Sequence, residues 1–187
     1  VINNKNSGAG ISRNIGINNS KGKFIAFLDA DDVWSKNKLN EQINFMKNQN
    51  VAFSFTSYSI INDKNHVNRN VVADKNMTYE KLIKSCDIGL STVIIKSKLL
   101  KLHRFPSIKT KEDYVLWLKL SKSKIKLCGL KKNLASWRKL DESLSSSTLQ
   151  KLNDAFKVYN KYLRFNFFKS LLFTIILSYN FIKKRYF

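Results

Sequence analysis

One short segment restricts what this chain can fold into more than any other. Residues 23–28 read Lys-Phe-Ile-Ala-Phe-Leu and stop abruptly at Asp29-Ala30-Asp31-Asp32. An unbroken apolar run of strand length suits a central parallel strand buried on both faces. The carboxylate-rich turn is followed by Ser35, a cap for a helix whose Leu39, Ile43 and Met46 share one face. Strand, acidic turn and helix make the unit of an open α/β sheet, in which ligands bind beyond the carboxyl ends of the strands.

The rest of the chain continues the alternation. Residues 3–10 are polar and Gly-rich and read as a loop. Ser12 then caps a short helix that carries Ile15 toward Lys21 and stops at Gly22. Residues 51–61 read as a strand and 62–70 as a polar loop, and Thr78 caps a helix through Leu82 and Ile83. Residues 91–95 read as a further strand, 112–121 as a helix, 124–130 as a short strand and 137–147 as a Ser-rich loop. Everything from Leu149 onward reads as helical. The expected architecture is a mostly parallel central sheet flanked by helices. Val1-Ile2 reads as the close of a strand, so a preceding βαβ unit is expected to be missing from the front.

Charge narrows the partners. Thirty-four Lys and Arg face thirteen Asp and Glu in 187 residues, a formal charge of +21. Such an excess suits nucleic acid, a phospholipid surface or a phosphorylated substrate. A compositional reading competes, because 21 Asn accompany the Lys, as in AT-rich coding drift. Cys86 and Cys128 make no disulfide framework, and the lone His66 and His103 cannot make a His-rich zinc site. A reducing compartment is expected, and no signal peptide is recognisable. The scarce acids tell more. Seven of the thirteen lie in three clusters: Asp29, Asp31 and Asp32; Glu112 and Asp113; Asp141 and Glu142. Neighbouring carboxylates repel unless a cation or a proton sits among them.

Carboxylates at a strand end can hold Mg²⁺ or Mn²⁺ with positions left open for phosphate oxygens. Asp29 and Asp31 are expected to point the same way, toward one nucleotide–metal complex. The alternative is an acidic helix N-terminus, with Asp32 favoured by the dipole of the following helix. Asp113 shares a stripe with Leu116, Trp117 and Leu120, so it is either an N-terminal cap or a positioned base. Partial burial raises a carboxylate's pKa and its basicity. Residues 7–16 partly match a dinucleotide fingerprint, but Arg13 stands where the third Gly belongs. What remains is a phosphate- or base-contacting turn that carries Arg13.

Together these segments resemble the family 2 glycosyltransferases of the GT-A fold. The matching residues are Asn6 and Gly8; Arg13, Asn14 and Gly16; the run 22–32 with Trp34; Lys38, Leu39 and Gln42; and Glu112, Asp113, Tyr114, Leu116 and Trp117. Trp137 and Arg138, followed by Ser143, Leu144 and Ser145, match more weakly. The likeness runs from residue 1 to about residue 147 and looks like members that build bacterial surface polysaccharides of teichuronic-acid or O-antigen type. It implies that residues 1–147 are the C-terminal portion of a GT-A domain lacking its first strand–helix–strand, and that residues 148–187 are a basic, aromatic, amphipathic helical tail. Roughly 60 to 80 residues of the usual fold are then absent, the length of about two strands and a helix. Leu140 stands where many relatives carry a His.

The resemblance implies an inverting transfer of a sugar from a nucleotide-sugar, a UDP-sugar, to an acceptor hydroxyl, with Mn²⁺ or Mg²⁺ as cofactor. Asp113 would be the catalytic base. Arg13, Asp29, Asp31 and Asp32 would bind the nucleotide-sugar, with Asp31 holding the metal and Asp29 nearer the ribose. Glu112, Trp117, Trp137 and Arg138 would lie on the acceptor side, although Trp117 alternatively packs beneath the base or simply fills the core. The implied partners are the donor, a lipid-linked saccharide acceptor and the anionic inner leaflet, with no nucleic acid. The implied place is the cytoplasm, peripheral on the cytoplasmic face of the bacterial inner membrane. Two other readings compete: a non-catalytic, membrane-associated remnant of such an enzyme, and a basic nucleic-acid-binding module, which lacks RNP-like or zinc-finger spacing.

The tail carries its own expectation. Residues 165–182 are strongly apolar but broken by Asn166, Lys169 and Asn180. A helix lying in the membrane interface fits, anchored by Phe and Tyr with Lys183, Lys184 and Arg185 near headgroups. A helix packed back on the domain, and a spanning helix with Lys169 snorkelling, are the alternatives.

Overall fold

Residues 53–61 alternate aromatic and β-branched groups with Ser and Thr, a composition that suits a strand enclosed on both sides. In the computed structural model, which describes residue 2, residues 5–139 and residues 147–186, that segment is the centre of the sheet. The elements in chain order are α1 (Ala9–Asn19), β1 (Phe24–Ala26), β2 (Val33–Trp34), α2 (Lys38–Asn48), β3 (Phe53–Ile61), β4 (Val67–Val71), β5 (Asn76–Met77) and α3 (Tyr79–Leu82). A 3₁₀ turn at Leu90–Thr92 follows. The chain continues as β6 (Ile94–Lys96), α4 (Ser97–Leu102), α5 (Glu112–Lys122), β7 (Leu127–Arg138), α6 (Thr148–Lys157), a π turn at Val158–Tyr162 and α7 (Phe167–Tyr186).

The strands run in the order β1-β6-β3-β7-β2, with β4 beside β3 and β5 beside β7. Among the described residues only β3 and β7 pair in parallel, over Phe53↔Leu127 to Ile61↔Arg138. The other described pairs are antiparallel, which corrects the expected mostly parallel pairing. The α/β layering holds, and β1, β3 and β7 share one direction, but β6 enters between β1 and β3 in the opposite sense. The cause is the 3₁₀ turn. It sits at the carboxyl end of β1, where Ser91 Oγ accepts from the Asp29 N–H at 3.0 Å. The chain therefore enters β6 from that end and must run back along β1. For the same reason β1 is not a central strand. Among the described residues it pairs only with β6, and Leu28 just beyond it is exposed.

Local signals hold in part. Thr78 caps α3, its side chain accepting from the Lys81 N–H, and α5 begins at Glu112 as expected. Two Ser caps do not hold. α1 starts three residues before Ser12, after Gly8 at φ +83°, and Ser12 Oγ donates to the Gly8 carbonyl at 3.0 Å inside the helix. α2 starts after Asn37 rather than Ser35, and this turns Lys38, Gln42 and Met46 inward while leaving Leu39 exposed. The expected 62–70 loop contains most of β4, and β7 runs far past the expected short strand to take in Trp137 and Arg138. Leu140, Asp141, Glu142 and the 143–145 match lie outside the described residues.

The core is aromatic. Trp117 on α5 is fully buried, with ring centroids 5.0 Å from Phe53 and 6.1 Å from Phe105, and Phe105 meets Phe27 edge-on at 5.4 Å. Each such side chain contributes about 1.5–3 kcal/mol by leaving water. The tail joins this core. Tyr159 donates its hydroxyl to the Ile83 carbonyl at 2.8 Å, and Tyr114 donates to Leu82 at 2.8 Å, so both buried phenols are satisfied. Asp154, fully buried on α6, accepts from the Thr110 N–H at 3.0 Å and from its hydroxyl at 2.9 Å. Ser170, Thr174 and Leu177 bury one face of α7 against the domain. Among the described residues no helix is long and apolar enough to cross a membrane.

Candidate functional site

Arg13 links the two acidic clusters. One turn earlier on α1, Gly10 permits a close approach: a Cβ there would lie 2.5 Å from the Pro106 carbonyl oxygen and 3.4 Å from the Glu112 side chain. Asn14 fixes the same contact, donating to the Phe105 carbonyl at 2.9 Å and accepting from its N–H at 3.0 Å. Arg13 is thereby aimed across the gap. Nη2 donates to Asp29 Oδ1 at 2.8 Å, Nη1 donates to Glu112 Oε1, and the guanidinium carbon sits 5.7 Å from the Phe105 ring centre. Burial opposes its charge, but the Asp29 and Glu112 carboxylates outweigh that and raise its pKa.

Asp113 stands next to Glu112 in the first turn of α5. Lys111, in the left-handed region at φ 67°, turns the chain into that helix. Asp113 Oδ1 accepts from the Tyr114 N–H at 2.7 Å. Burial and the Glu112 charge push its pKa up to about 6, against the Tyr114 N–H, Arg13 and Lys111.

The acidic turn is held from both sides. The Arg138 N–H donates to Asp32 Oδ1 at 2.9 Å and Nε donates to the Asp31 carbonyl at 2.9 Å, while its other nitrogens reach the Asn62 carbonyl and Asn65 Oδ1, each at 2.8 Å. Burial pushes Asp32 up to about 6, although Ser91 and Arg138 bond its charged form; Asp31 and Asp29 add repulsion. Asp29 is committed to Arg13. Among the described residues the Asp31 carboxylate takes no hydrogen bond or ion pair, and no cluster of three or more His, Cys, Asp or Glu is arranged to hold a metal. One open carboxylate is a minimal oxygen donor set. It would suit a hard divalent cation that takes its other ligands from phosphate oxygens and water.

Beneath the turn lies a polar cluster that the sequence reading did not place. Lys38 is fully buried. Its Nζ donates to Gln42 Oε1 at 2.5 Å and to the Thr92 carbonyl at 3.2 Å, and lies 5.0 Å from the Trp34 ring centre. Gln42 Nε2 donates to Ser54 Oγ and the Thr92 carbonyl, each at 2.9 Å. Trp34 Nε1 donates to the Ser91 carbonyl at 2.7 Å. Burial pulls the Lys38 amine down to about 7. Lys38, Gln42 and Trp34 each donate to a carbonyl of the Leu90–Thr92 turn, and Ser91 in that turn bonds Asp29 and Asp32. The available signal was the i, i+4 spacing of Lys38 and Gln42, which sets both on the face of Met46.

The structure thus gathers Arg13, Asp29, Glu112 and Asp113 at one place, with Asp31, Asp32 and Arg138 on the adjoining turn. Arg138 braces the acidic turn. Trp117 is core with no exposed surface, so it cannot line the acceptor side. Trp137 is exposed on β7, beside Arg138.

The profile of Glycosyl transferase family 2 matches residues 1–101. A Bacillus subtilis protein named for teichuronic acid biosynthesis, the glycosyltransferase TuaG, is 34% identical over 182 residues, covering 97% of this chain and 72% of its own length. The Escherichia coli UDP-Glc:alpha-D-GlcNAc-diphosphoundecaprenol beta-1,3-glucosyltransferase WfgD is 44% identical over 115 residues, 62% of this chain and 45% of its own. Among solved structures, Staphylococcus aureus TarS 1–349 with UDP-GlcNAc superposes with a TM-score of 0.67 at 19% identity, over 88% of this chain and 50% of that one. That likeness identifies the fold as GT-A, and this chain spans about half the length of WfgD and of that TarS chain. With the family profile matched over residues 1–101 and TuaG covered over 72% of its length, the chain belongs to glycosyl transferase family 2.

Proposed function

We propose that the parent protein is an inverting glycosyltransferase that moves a sugar from a UDP-sugar to the hydroxyl of a lipid-linked saccharide, on the cytoplasmic face of a bacterial membrane, in surface-polysaccharide synthesis. The observation that carries this reading is the Arg13 bridge. It brings the acidic turn, Asp29 to Asp32, against the helix start that holds Asp113, two segments far apart in sequence. The names of TuaG and WfgD support the polymer class and a diphosphoundecaprenol-linked acceptor, and the names of WfgD and TarS 1–349 support a UDP-linked donor.

The chain's own groups divide the work. Asp31, the open carboxylate of the turn, would hold a divalent cation, Mn²⁺ or Mg²⁺. When bound, that cation supplies Lewis-acid stabilisation of the leaving nucleoside diphosphate. Asp113 takes the proton of the acceptor hydroxyl. The acceptor oxygen bonds to the anomeric carbon as the bond from that carbon to the diphosphate oxygen breaks, and the diphosphate leaves with the electron pair. A single displacement inverts the centre. With a pKa of about 6, Asp113 is ionised at neutral pH yet more basic than an ordinary carboxylate. Arg13 orients both acidic segments, and Asp32 with Arg138 keeps the turn in shape.

The test is UDP release from a panel of UDP-sugars with Mn²⁺, using the whole protein beside its Asp31→Ala and Asp113→Asn variants. Metal-dependent release, lost in both variants, supports the reading. Release that survives Asp31→Ala overturns the metal assignment. An absence of both release and metal-dependent UDP binding favours a non-catalytic remnant.

A further inference from the structure

α7 meets the domain by one face only. Ser170, Thr174 and Leu177 are buried there, and Phe173 packs on the rings of Tyr159 and Phe165. On the opposite face Phe168, Leu171, Leu172, Ile175, Tyr179 and Ile182 recur at spacings of three and four and are 43–80% exposed. No charged residue interrupts that stripe. A continuous apolar stripe rimmed by polar groups marks an interaction surface.

The rim is basic. Lys169 and Lys183 border the stripe. Near the start of α7 a shallow pocket of about 350 Å³ is lined by His103, Lys119, Lys122, Tyr162 and Arg164, with no carboxylate. We propose that the outer face of α7 docks on an anionic phospholipid surface. The stripe enters the boundary between headgroups and acyl chains, and the basic pocket takes lipid phosphate. Charge selects this occupant. A second copy would bring one +21 chain against another, and nucleic acid could stack on Phe168 and Tyr179 but would leave the four aliphatic side chains of the stripe unburied.

The proposal rests on the transferase reading in one respect, because a lipid-borne acceptor gives the docking its purpose. The far end of α7 is fastened to the loop 84–87. Asn180 Nδ2 donates to the Lys84 carbonyl at 2.9 Å, and Lys184 Nζ donates to Asp87 Oδ2 at 2.5 Å and to Ser85 Oγ at 2.8 Å.

Cosedimentation of the whole protein with vesicles, without donor, tests the docking. Binding to phosphatidylglycerol-containing vesicles is expected to exceed binding to pure phosphatidylcholine by at least about tenfold. The double variant Leu172→Gln with Ile175→Gln is expected to lose roughly tenfold or more, and Lys119→Gln with Lys122→Gln severalfold, with a weaker salt dependence. An unchanged Tm in each variant separates lost binding from lost folding. Equal binding to neutral and anionic vesicles, wild-type binding by the stripe variant, or a dimer that the stripe variant abolishes would each overturn the proposal. Asp113→Asn is expected to bind vesicles as the wild type does, so a failed transfer reading is told apart from failed docking.

Discussion

The acidic turn and the outer face of α7 depart from ordinary partition in opposite directions. Around the turn, charge is drawn out of water: Arg13, Glu112, Asp32 and Lys38 are buried or half-buried, and each has specific partners. Along α7, apolar surface is left in water, with no partner among the described residues. Both arrangements cost free energy in the isolated chain. A fold tolerates such departures where a ligand completes them. The polar departure suits a small, charged, metal-associated ligand, and the apolar one suits a lipid surface. Perturbing one region should therefore leave the other's behaviour intact.

The largest expected effect comes from Asp113→Asn. Removal of a general base costs roughly 10²–10⁴ in transfer rate, read as UDP release, while vesicle binding stays at the wild-type level. Stability moves the other way. The raised pKa means that the fold favours the protonated acid. The favourable contribution is therefore present at low pH and is lost as pH rises from about 4, the ordinary carboxylate value, through about 6. The variant should melt higher than the wild type above pH 6 and match it near pH 4. Calorimetry across that window checks the sign.

Next in size is Arg13→Met. It strands Glu112, which is buried, and Asp29 without their shared cation, and loss of one partner from such a site costs about 3 kcal/mol. Denaturant unfolding measures it. Arg13→Lys should recover only part of the loss, because one ammonium cannot reproduce a fork spread over two carboxylates. If Arg13→Met left stability unchanged but abolished UDP binding, Arg13 would be a direct donor ligand, as the family resemblance first implied. A third effect is the acid limb of the transfer reaction. Activity should rise with pH to a plateau with a midpoint near 6, since Asp113 must be ionised to accept a proton; a rate flat from pH 5 to 8 would remove it as the base.

Legibility follows the range of the interactions. The strand-to-acidic-turn unit, the Thr78 cap and the α5 start were readable because neighbouring residues decide them. The direction of β6 was not, because it depends on Ser91 meeting Asp29 across 62 residues. The bracing role of Arg138 was hidden for the same reason: its bond to Asp32 spans 106 residues. The Ser12 and Ser35 caps failed because a good local cap competes with tertiary placement, and here the approach of α1 to Pro106 and the inward turn of Lys38 prevail. Lys38 was read only as part of the family match; its burial was not foreseen, since lysine is almost never fully buried. Its acceptors, the Gln42 amide and the Thr92 carbonyl, come from two separate elements.

The smallest effect discriminates most finely, because it sets apart two adjacent lysines at the end of α7. Lys184 is tied to Asp87, with a half-exposed side chain, and an exposed pair of this kind contributes no more than about 1 kcal/mol. Lys183, also exposed, takes no partner among the described residues. A basic residue free to face anionic lipid contributes about 1 kcal/mol to binding, but one already neutralised by a carboxylate contributes little. Lys183→Gln should therefore weaken vesicle binding by up to roughly fivefold at unchanged Tm. Lys184→Gln should lower Tm slightly and leave vesicle binding nearly as it was. Equal losses of vesicle binding would mean that Lys184 leaves Asp87 for lipid when the helix docks. The 84–87 loop would then keep only the Asn180 bond to the Lys84 carbonyl as its tie to α7 on the membrane.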